Sequence, residues 1–500
     1  MSSVVATAVS SELANESVAE ARSVAPPPNR ASCEPSWQAL YDEIDARLRE
    51  FGAAGRGTLV LTLPAPVAEA ESFLDLADLH QAFLWHGPDG VAFAGQGAVH
   101  RLRSAGVGRF VSLRELADEV LAGVVSESVS GATAIEPRLW GGAAFDENAS
   151  SSEPWASFGD AQLFLPRFLY RRSPEQVSSN GTPAATLSLA ATAQEGVDAR
   201  QRASLLRQLG SLVDGLRGQA PAREERYVAT AAGQIGTDAD TWVRQVEEIR
   251  RAIADGEVEK IVAARRFRVE VPDNLQISAV LRRLGHGLRS STRFAFRHRT
   301  ESGNVTFLGA TPERLVSKRG SRLETEALAG TMEAGGEHAT ELLESGKDRH
   351  EQQLVTDSIV RRLRPLCTHL EVADRPTVRE LRDVLHLHTP IHGVLAGDHH
   401  VLDLVRALHP TPAVGGVPTP EAMRWIAENE PRPRGWYAAP IGWLDARGDG
   451  EFYVALRSCV VAGSEAFLYA GAGIVADSDP IAELRETELK THALLQALRP

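Results

Sequence analysis

Apolar and polar positions recur with two different periods along the chain, and the period separates predicted strands from predicted helices. In the first half, apolar runs bounded by turn residues predict strands over 57–66 and 161–172, and helical spacing predicts a helix over 112–124. Residues 217–240 are polar and rich in helix-breaking residues. They predict a long connection between the two halves of the chain.

The second half carries a denser pattern. Trp242, Val246 and Ile249 fall at helical spacing, and Asp255 and Gly256 are expected to end that helix. The other predicted helices cover 345–363, with an apolar stripe of Leu354, Val355, Ile359 and Leu363, and 478–490; predicted strands cover 259–271, 293–299, 304–320, 450–463 and 466–479. The last two strands are expected to form a long hairpin.

Composition narrows the class of protein. The 500 residues are 43% hydrophobic and 24% charged, which is typical of soluble globular proteins. The net charge of −13 argues against nucleic acid or an anionic membrane as the main partner. No apolar run approaches the ~20 residues of a membrane span. An anionic substrate would need a locally positive site in so acidic a chain.

The N-terminal segment and the cysteines bear on location. Residues 1–36 are rich in Ser, Ala and Pro and lack the pattern of a secretory signal, so a flexible tail is expected. Cys33, Cys367 and Cys459 form no metal-binding or disulfide motif. We therefore expect a protein of the reducing cytoplasm.

Two predicted helices each carry a pair of carboxylates three residues apart. Asp348 and Glu351 lie near the start of one helix, and Glu483 and Glu486 near the start of the other. Such charges usually form a solvated face. If both helices face one cleft, however, four carboxylates converge and require a cation. With no Cys or His beside them, hard oxygen ligands select Mg²⁺ or Ca²⁺, and an enzyme site that keeps water positions open favours Mg²⁺.

A series of motifs in the second half resembles the chorismate-binding enzymes, and among them the isochorismate synthases. The motifs are "FLGATPERLV", "ALAGT", "KDRHE", "HLHT", "LHPTPAVGGVP", "RGWYAAPIGW", "ALRS" and "AGAGIVADSDPIAELRETELK", in the order typical of that family. The resemblance implies a catalytic region over 237–500, preceded by a divergent half over 37–236. The implied fold is α/β (α+β), with two mostly antiparallel sheets packed together and helices outside.

The resemblance also implies the ligands of a magnesium ion and the residues that bind substrate. By position, Glu351 and Glu486 match direct ligands of Mg²⁺, and Asp348 and Glu483 match residues that hold its water molecules. The positions that match substrate-binding residues are Ala329, Gly330, Thr331, His386, Tyr437, Arg457, Gly471, Ala472, Gly473 and Lys490. Glycine in the 471–473 segment would let the backbone approach a substrate carboxylate.

For the reaction, the resemblance implies addition of water at C2 of chorismate and loss of the C4 hydroxyl. Lys260 matches the family's base and Glu313 its acid. The product, isochorismate, would feed menaquinone or siderophore biosynthesis. A monomer with no amidotransferase subunit is expected.

Related activities remain as alternatives. Ala329 stands where aminodeoxychorismate synthases commonly place a nucleophilic lysine, and 409–418 differs from the pattern of the ammonia-using enzymes, anthranilate synthases included. A salicylate synthase, which goes on to eliminate pyruvate, is the main alternative. A protein of this fold that only binds a ligand is another. Gln352 and the pair Met332 and Glu333 depart from residues common in the family, but they leave the direct ligands intact.

Overall fold

The computed structural model describes residues 37–76, 81–147, 150, 152–174, 184–218, 234–235, 239–382 and 384–499. The predicted tail over 1–36 and most of the predicted connection over 217–240 lie outside these residues.

Helices and strands alternate irregularly along the described chain. The helices are α1 (Trp37–Ala54), α2 (Arg109–Ala122), α3 (Ala193–Val197), α4 (Ala199–Arg217), α5 (Ala239–Ala254), α6 (Ile277–Gly287), α7 (His338–Glu344), α8 (Gly346–Leu363), α9 (Val401–Leu408), α10 (Thr419–Asn429) and α11 (Pro480–Leu498).

The strands of the first half, up to residue 235, are β1 (Thr58–Pro64), β2 (Gln81–His86), β3 (Ala92–Ser104), β4 (Val124–Ser128), β5 (Arg138–Ala143), β6 (Ala161–Arg172), β7 (Ala185–Thr192) and β8 (Gln234–Ile235). Those of the second half are β9 (Lys260–Glu270), β10 (Thr292–Thr300), β11 (Gly303–Thr311), β12 (Arg314–Arg319), β13 (Arg322–Glu333), β14 (Cys367–Val372), β15 (Thr377–Leu381), β16 (Val384–Leu395), β17 (Gly416–Val417), β18 (Pro440–Asp445), β19 (Gly450–Val454), β20 (Ser458–Ala462) and β21 (Glu465–Ile474).

The long strand β6 joins two sheets. Its first residues pair with β5 and its last residues with β7, and β3 pairs along its length. One sheet continues from β3 through β2, β10, β11, β20 and β21 to β9. The other continues from β5 through β18, β19, β12 and β13 to β16. All of these pairings are antiparallel, so the predicted fold class of mostly antiparallel sheets with helices is confirmed.

The two halves of the chain share their hydrophobic cores. Strand β2 of the first half pairs with β10 of the second, and β5 pairs with β18. One core surrounds Trp140, which contacts Phe83, Phe93 and Trp443 through its ring. Truncating a buried aromatic of this kind to alanine typically costs about 3–5 kcal/mol. Because both halves supply these aromatic residues, the site described below depends on the whole described chain.

The predicted helices are confirmed, although the helix predicted over 478–490 is α11, which begins at Pro480 and continues two turns further, to Leu498. The helix expected over 112–124 is α2, which begins at Arg109 and ends before Gly123. Helix α5 ends close to Gly256, whose φ of 78° is the left-handed conformation that glycine accepts at a helix end. In α8 the apolar stripe buries Val355, Ile359 and Leu363 as predicted, whereas Leu354 is only half-buried.

Two strands that the pattern predicted as continuous are broken. The segment 304–320 forms β11 and β12, which are separated at Pro312 and Glu313. The segment 450–463 forms β19 and β20, which are separated at 455–457. Ala455 and Leu456 continue the apolar pattern through the second break, which is why periodicity alone missed it. At the first break Pro312 and Glu313 interrupt the pattern, and Pro312 was a signal that the prediction passed over.

No helix within the described ranges is both long enough and apolar enough to cross a bilayer.

Candidate active site

A cavity of about 770 Å³, including its open mouth, lies where β9, β13, β16 and β21 meet α8 and α11. Most of the residues predicted as site residues line it: Glu313, Ala329, Thr331, Glu351, His386, Tyr437, Arg457, Gly471, Gly473, Glu486 and Lys490. The other predicted residues, Lys260, Gly330, Asp348, Ala472 and Glu483, are not among its lining residues. Motifs spread from residue 307 to residue 490 therefore converge on one cavity.

Glu313 lies at the break between β11 and β12. Its backbone carbonyl accepts a hydrogen bond from the N–H of Val454 (3.0 Å), and its own N–H donates to the hydroxyl of Thr311 (3.3 Å). The residue is 4% exposed. Burial, followed by the negative charge of Glu326, raises the pKa of Glu313 to about 8. A carboxyl group with this pKa is largely protonated at neutral pH and can act as an acid.

Glu326 on β13 is a residue of this site that the sequence did not reveal. Its carboxylate accepts hydrogen bonds from the side chains of Arg379 (2.8 Å) and His388 (2.8 Å) and from the backbone N–H of Arg314 (2.9 Å). These contacts outweigh the cost of burial and hold the pKa of Glu326 below its usual value. Glu326 therefore keeps its negative charge close to Glu313, which favours the protonated form of Glu313. The sequence analysis predicted no element over Glu326, and a single glutamate gave no signal of this role.

Replacing Glu326 by glutamine is expected to shift the pH dependence of turnover. Glu326 raises the pKa of Glu313, so removing its charge lowers that pKa, and protonated Glu313 is lost at a lower pH. The alkaline limb of kcat/KM against pH should move to lower pH, which a pH–rate profile measures directly. If Glu326 only braced the turn at Arg314, activity would fall equally at every pH and the limb would stay near pH 8.

Lys260 is fully buried at the start of β9, behind the cavity wall. Its Nζ lies 2.8 Å from Oε1 of Glu351, an ion pair without hydrogen-bond geometry. Burial raises the pKa of Glu351, but the contact and charge of Lys260, together with the charges of Lys490 and Lys347, outweigh burial, and the pKa of Glu351 lies below its usual value. A Cβ at Gly473 would lie 2.4 Å from Glu351 Oε1 and 2.9 Å from Lys260 Cε. Glycine at 473 thus provides the space in which this pair sits.

Helix α11 brings its two carboxylates to lysines. Glu486 accepts a hydrogen bond from Lys490 (2.6 Å), which also donates to the carbonyl of Gly471 (3.0 Å). Glu483, one turn earlier, accepts from Lys347 (2.7 Å). Burial, followed by the charge of Glu486, raises the pKa of Glu483. The paired helices therefore do face each other, as the sequence predicted, with a lysine on each of these carboxylates.

Asp348 has a structural role in this arrangement. It accepts hydrogen bonds from the hydroxyl of Ser345, the N-cap of α8, and from the N–H of Thr331 (3.2 Å). Gly330 packs against it with a φ of 68°, and a Cβ there would lie 3.0 Å from Asp348 Cβ. Asp348 therefore ties α8 to β13. Its expected contact with metal-bound water stays a prediction.

The donor set suits a hard divalent cation. Glu351 and Glu486 place carboxylate oxygens on the same cavity, and the bare backbone at Gly473 leaves room beside Glu351. Burial lowers the pKa of Lys347, but the charges of Glu483, Glu351 and Glu486 outweigh burial and raise it. The three carboxylates are therefore close enough to act on the same lysine. In the described part of the chain, no three His, Cys, Asp or Glu side chains stand close enough to enclose a metal. Each of these glutamates instead contacts a lysine.

His386 on β16 faces the cavity as a neutral imidazole. Its Nδ1 lies 3.2 Å from the carbonyl of Gly330 and 3.1 Å from the hydroxyl of Thr331. A carbonyl only accepts, so Nδ1 carries the proton and Nε2 is left as an acceptor. Burial, followed by the charges of Lys490 and Arg457, holds the pKa of His386 well below its usual value.

Two residues of the cavity wall have left-handed backbones. Arg457, at the break between β19 and β20, has a φ of 48°, and Ala438 has a φ of 59°. Residues other than glycine rarely adopt this conformation, and where they do the strain often serves a site. Here the bend turns the 456–457 segment into the cavity wall beside Glu313. Arg457 therefore lines the cavity, and its contact with a substrate carboxylate stays a prediction.

The first half supports the site, although its sequence showed no catalytic constellation. The indole of Trp155 donates a hydrogen bond to the hydroxyl of Tyr469 (3.1 Å), and Tyr469 stacks on Tyr437 with ring centroids 5.1 Å apart. Arg434, 2% exposed, also lines the cavity and donates to the carbonyls of Val262 and Val414, each at 2.7 Å. Arg434 lies in the "RGWYAAPIGW" motif, which was the one available signal for it.

Comparisons with known proteins agree with this geometry. The family model described as "Chorismate binding enzyme" matches residues 55–499. The chain is 36% identical over 457 residues to "Salicylate biosynthesis isochorismate synthase" of Pseudomonas aeruginosa, covering 87% of this chain and 91% of that one. It is 33% identical over 379 residues to "Isochorismate synthase MenF" of Bacillus subtilis, covering 73% and 75%. The solved structure of the menaquinone-specific isochorismate synthase MenF of Escherichia coli matches with a TM-score of 0.72 and 26% identity, covering 93% of this chain and all of that one.

Proposed function

Because this chain belongs to the chorismate-binding enzyme family, we propose that its cavity binds chorismate and that the protein is an isochorismate synthase. The observation that carries the proposal is the pairing of Glu313, whose pKa is raised to about 8, with cationic groups in one cavity. A protonated acid suits departure of a hydroxyl, and Arg457 and Lys490 suit a substrate with two carboxylates.

In the proposed reaction, a water oxygen bonds to C2 of the ring while the bond from C4 to its hydroxyl breaks. The ring double bonds shift between these carbons, so no oxidant is required. Glu313 gives its proton to the departing hydroxyl, which leaves as water. Lys260 takes the proton from the attacking water. The two residues belong to different elements, β9 and the turn before β12, and the proposal assigns them to opposite faces of the ring.

Lys260 acts from behind Glu351. Its Nζ is fully buried and contacts Oε1 of Glu351, and it is not a lining residue of the cavity. A base must be neutral to accept a proton, so the amine has to part from this carboxylate during the reaction.

The proposal includes Mg²⁺ as the cofactor, held by Glu351 and Glu486 with Asp348 and Glu483 behind them. When bound, the ion would neutralise the ring carboxylate of the substrate and so offset the acidic character of this wall. The support is the hard-oxygen donor set on the cavity. Arg457, Lys490 and the neutral His386 remain for the second carboxylate and the ring.

Water as the nucleophile is supported by position 329. Ala329 lines the cavity, is 6% exposed and carries no group that could form a covalent adduct with the ring. The relatives described above are named as isochorismate synthases, which agrees with water rather than ammonia.

Incubation with chorismate, Mg²⁺ and excess ammonium is expected to yield isochorismate and no anthranilate or aminodeoxychorismate. Chromatography with mass detection would identify the products. The Glu313→Gln variant, prepared in parallel, controls for contaminating activity and spontaneous breakdown of chorismate. If salicylate and pyruvate dominate at neutral pH, the protein is a salicylate synthase instead.

A further inference from the structure

A second cavity adjoins the catalytic one and is lined by arginines. It measures about 860 Å³ with its open mouth. Five of its lining residues are arginines and one is a glutamate: Arg265, Arg266, Arg268, Arg432, Arg434 and Glu430. We name it the arginine pocket. Five arginines lining one cavity are unexpected in a chain whose net charge is −13, although the guanidinium of Arg265 donates to the hydroxyl of Thr487 on the other face of β9.

The arginine pocket continues the catalytic cavity along one face of β9. Alternate residues of a strand point to the same side, so Lys260, Val262, Ala264, Arg266 and Arg268 share a face. On that face Val262 lines the catalytic cavity, whereas the next three residues line the arginine pocket. The outer end is open to solvent, since the side chain of Arg268, which pairs with Glu465, is 46% exposed.

The inner wall is common to both cavities. Arg434 and Tyr469 line each of them. Arg434 is held by Glu430, with Nε donating to Oε2 at 2.8 Å, so its charge is largely compensated. Tyr469 is the ring that stacks on Tyr437 inside the catalytic cavity. A molecule leaving the arginine pocket inward therefore meets the substrate-facing tyrosines next.

Donor groups remain available in the pocket. Arg432 is exposed and forms no ion pair with the residues that the structure describes. Gln245 is 8% exposed and lines the pocket, and its Nε2 has no hydrogen-bond partner within the described ranges. A buried amide left without an acceptor is costly, and an anion in the pocket would supply that acceptor.

We propose that the arginine pocket binds small carboxylate anions and is the vestibule through which a dianionic substrate reaches the catalytic cavity. This inference rests on the proposed function, because chorismate carries two carboxylates. At physiological salt the screening length is about 8 Å, so charges within the pocket govern a nearby anion more than the distant charges of the chain do. The pocket thereby provides a locally positive surface that attracts an anionic substrate despite the net negative charge of the chain.

Charge reversal at the mouth tests the vestibule. Neither Arg268 nor Arg432 contacts the catalytic cavity, so Arg268→Glu/Arg432→Glu should leave kcat unchanged. We expect kcat/KM at low ionic strength to fall about tenfold, and its dependence on ionic strength to flatten or reverse. The double glutamine variant should show a smaller loss. The single variant Arg432→Glu should show part of the loss. Arg56→Glu makes the same single charge change at an exposed position before β1, so it is the matched control for Arg432→Glu and should behave like wild type.

The outcomes separate this inference from the proposed function. Stopped-flow binding of chorismate to Glu313→Gln, with and without the charge reversals, measures association directly. If wild type forms isochorismate but the reversals match Arg56→Glu in kcat/KM and association rate, the vestibule is wrong and the function stands. If wild type binds chorismate without converting it, and the reversals slow binding, the function is wrong and the vestibule stands.

Discussion

Glu313→Gln is expected to lower kcat by roughly 10²- to 10⁴-fold while chorismate still binds. With a pKa raised to about 8, Glu313 is largely protonated and neutral at pH 7, so glutamine reproduces its charge and shape. Only the transferable proton is lost. Steady-state kinetics with equilibrium binding of chorismate would show a lower kcat and an unchanged dissociation constant.

The matched control is Glu71→Gln. Glu71 is also fully buried, but it pairs with Arg293 (2.6 Å) and His86 (2.9 Å) away from the cavity. Removing its charge should lower the free energy of unfolding and leave kcat of the folded protein unchanged. Near-normal kcat in Glu313→Gln, or a defect confined to chorismate affinity, would refute the role of Glu313 as the acid.

The same test applies to the base. Lys260→Ala and Lys260→Met should both stop water addition, and Met restores most of the lost volume. Each leaves Glu351 without its ion-pair partner, and breaking a buried pair typically costs about 3–5 kcal/mol. Thermal unfolding must therefore confirm that the variants are folded at the assay temperature. Turnover by folded Lys260→Met would show that another group takes the proton.

Chelation of divalent cations is the second prediction with a large expected effect. Exhaustive treatment with EDTA should abolish turnover, and added Mg²⁺ should restore it. The protein should stay folded, because Glu351, Glu486 and Glu483 each contact a lysine that offsets its charge. Circular dichroism of the treated protein checks the fold. Full activity after chelation would contradict the magnesium site.

Glu486→Ala tests the same site through binding. Removing one of the two carboxylates that line the cavity should abolish turnover and sharply weaken Mg²⁺ binding measured by calorimetry. Glu488→Ala is the matched control, because Glu488 lies on the same helix but is exposed and does not line the cavity. It should bind Mg²⁺ as wild type does. Equal Mg²⁺ affinity in Glu486→Ala and wild type would exclude Glu486 as a ligand.

The pattern of apolar residues within each segment was sufficient to predict many of the helices and strands. Helix and strand were assigned correctly wherever periodicity was strong, as in α5, α8, β6 and β9, because the side-chain period follows from backbone geometry alone. The order of short motifs indicated the family and most of the residues that line the cavity. The two carboxylate pairs indicated that α8 and α11 face one another.

The tertiary structure decided how those residues are used. Glu313 and Arg457 reach the cavity because β strands break beside them. The apolar pattern runs on through the break before Arg457, and Pro312 marks the other break without showing where the side chain of Glu313 goes. Each break is set by strand pairing, such as that of β12 with β19 and of β11 with β20, between segments distant in sequence. The periodicity of one segment carries no information about the distant strand with which that segment pairs.

The charge environment was likewise beyond the sequence alone. Whether a glutamate is an acid, a ligand or half of an ion pair depends on burial and on neighbours from other elements. Glu326 raises the pKa of Glu313, Lys260 lowers that of Glu351, and Trp155 reaches Tyr469 across 314 residues. Thus the sequence by itself determined the elements, the family and the candidate groups. Only the fold, by setting distances and removing water, determined the protonation and partners of each group.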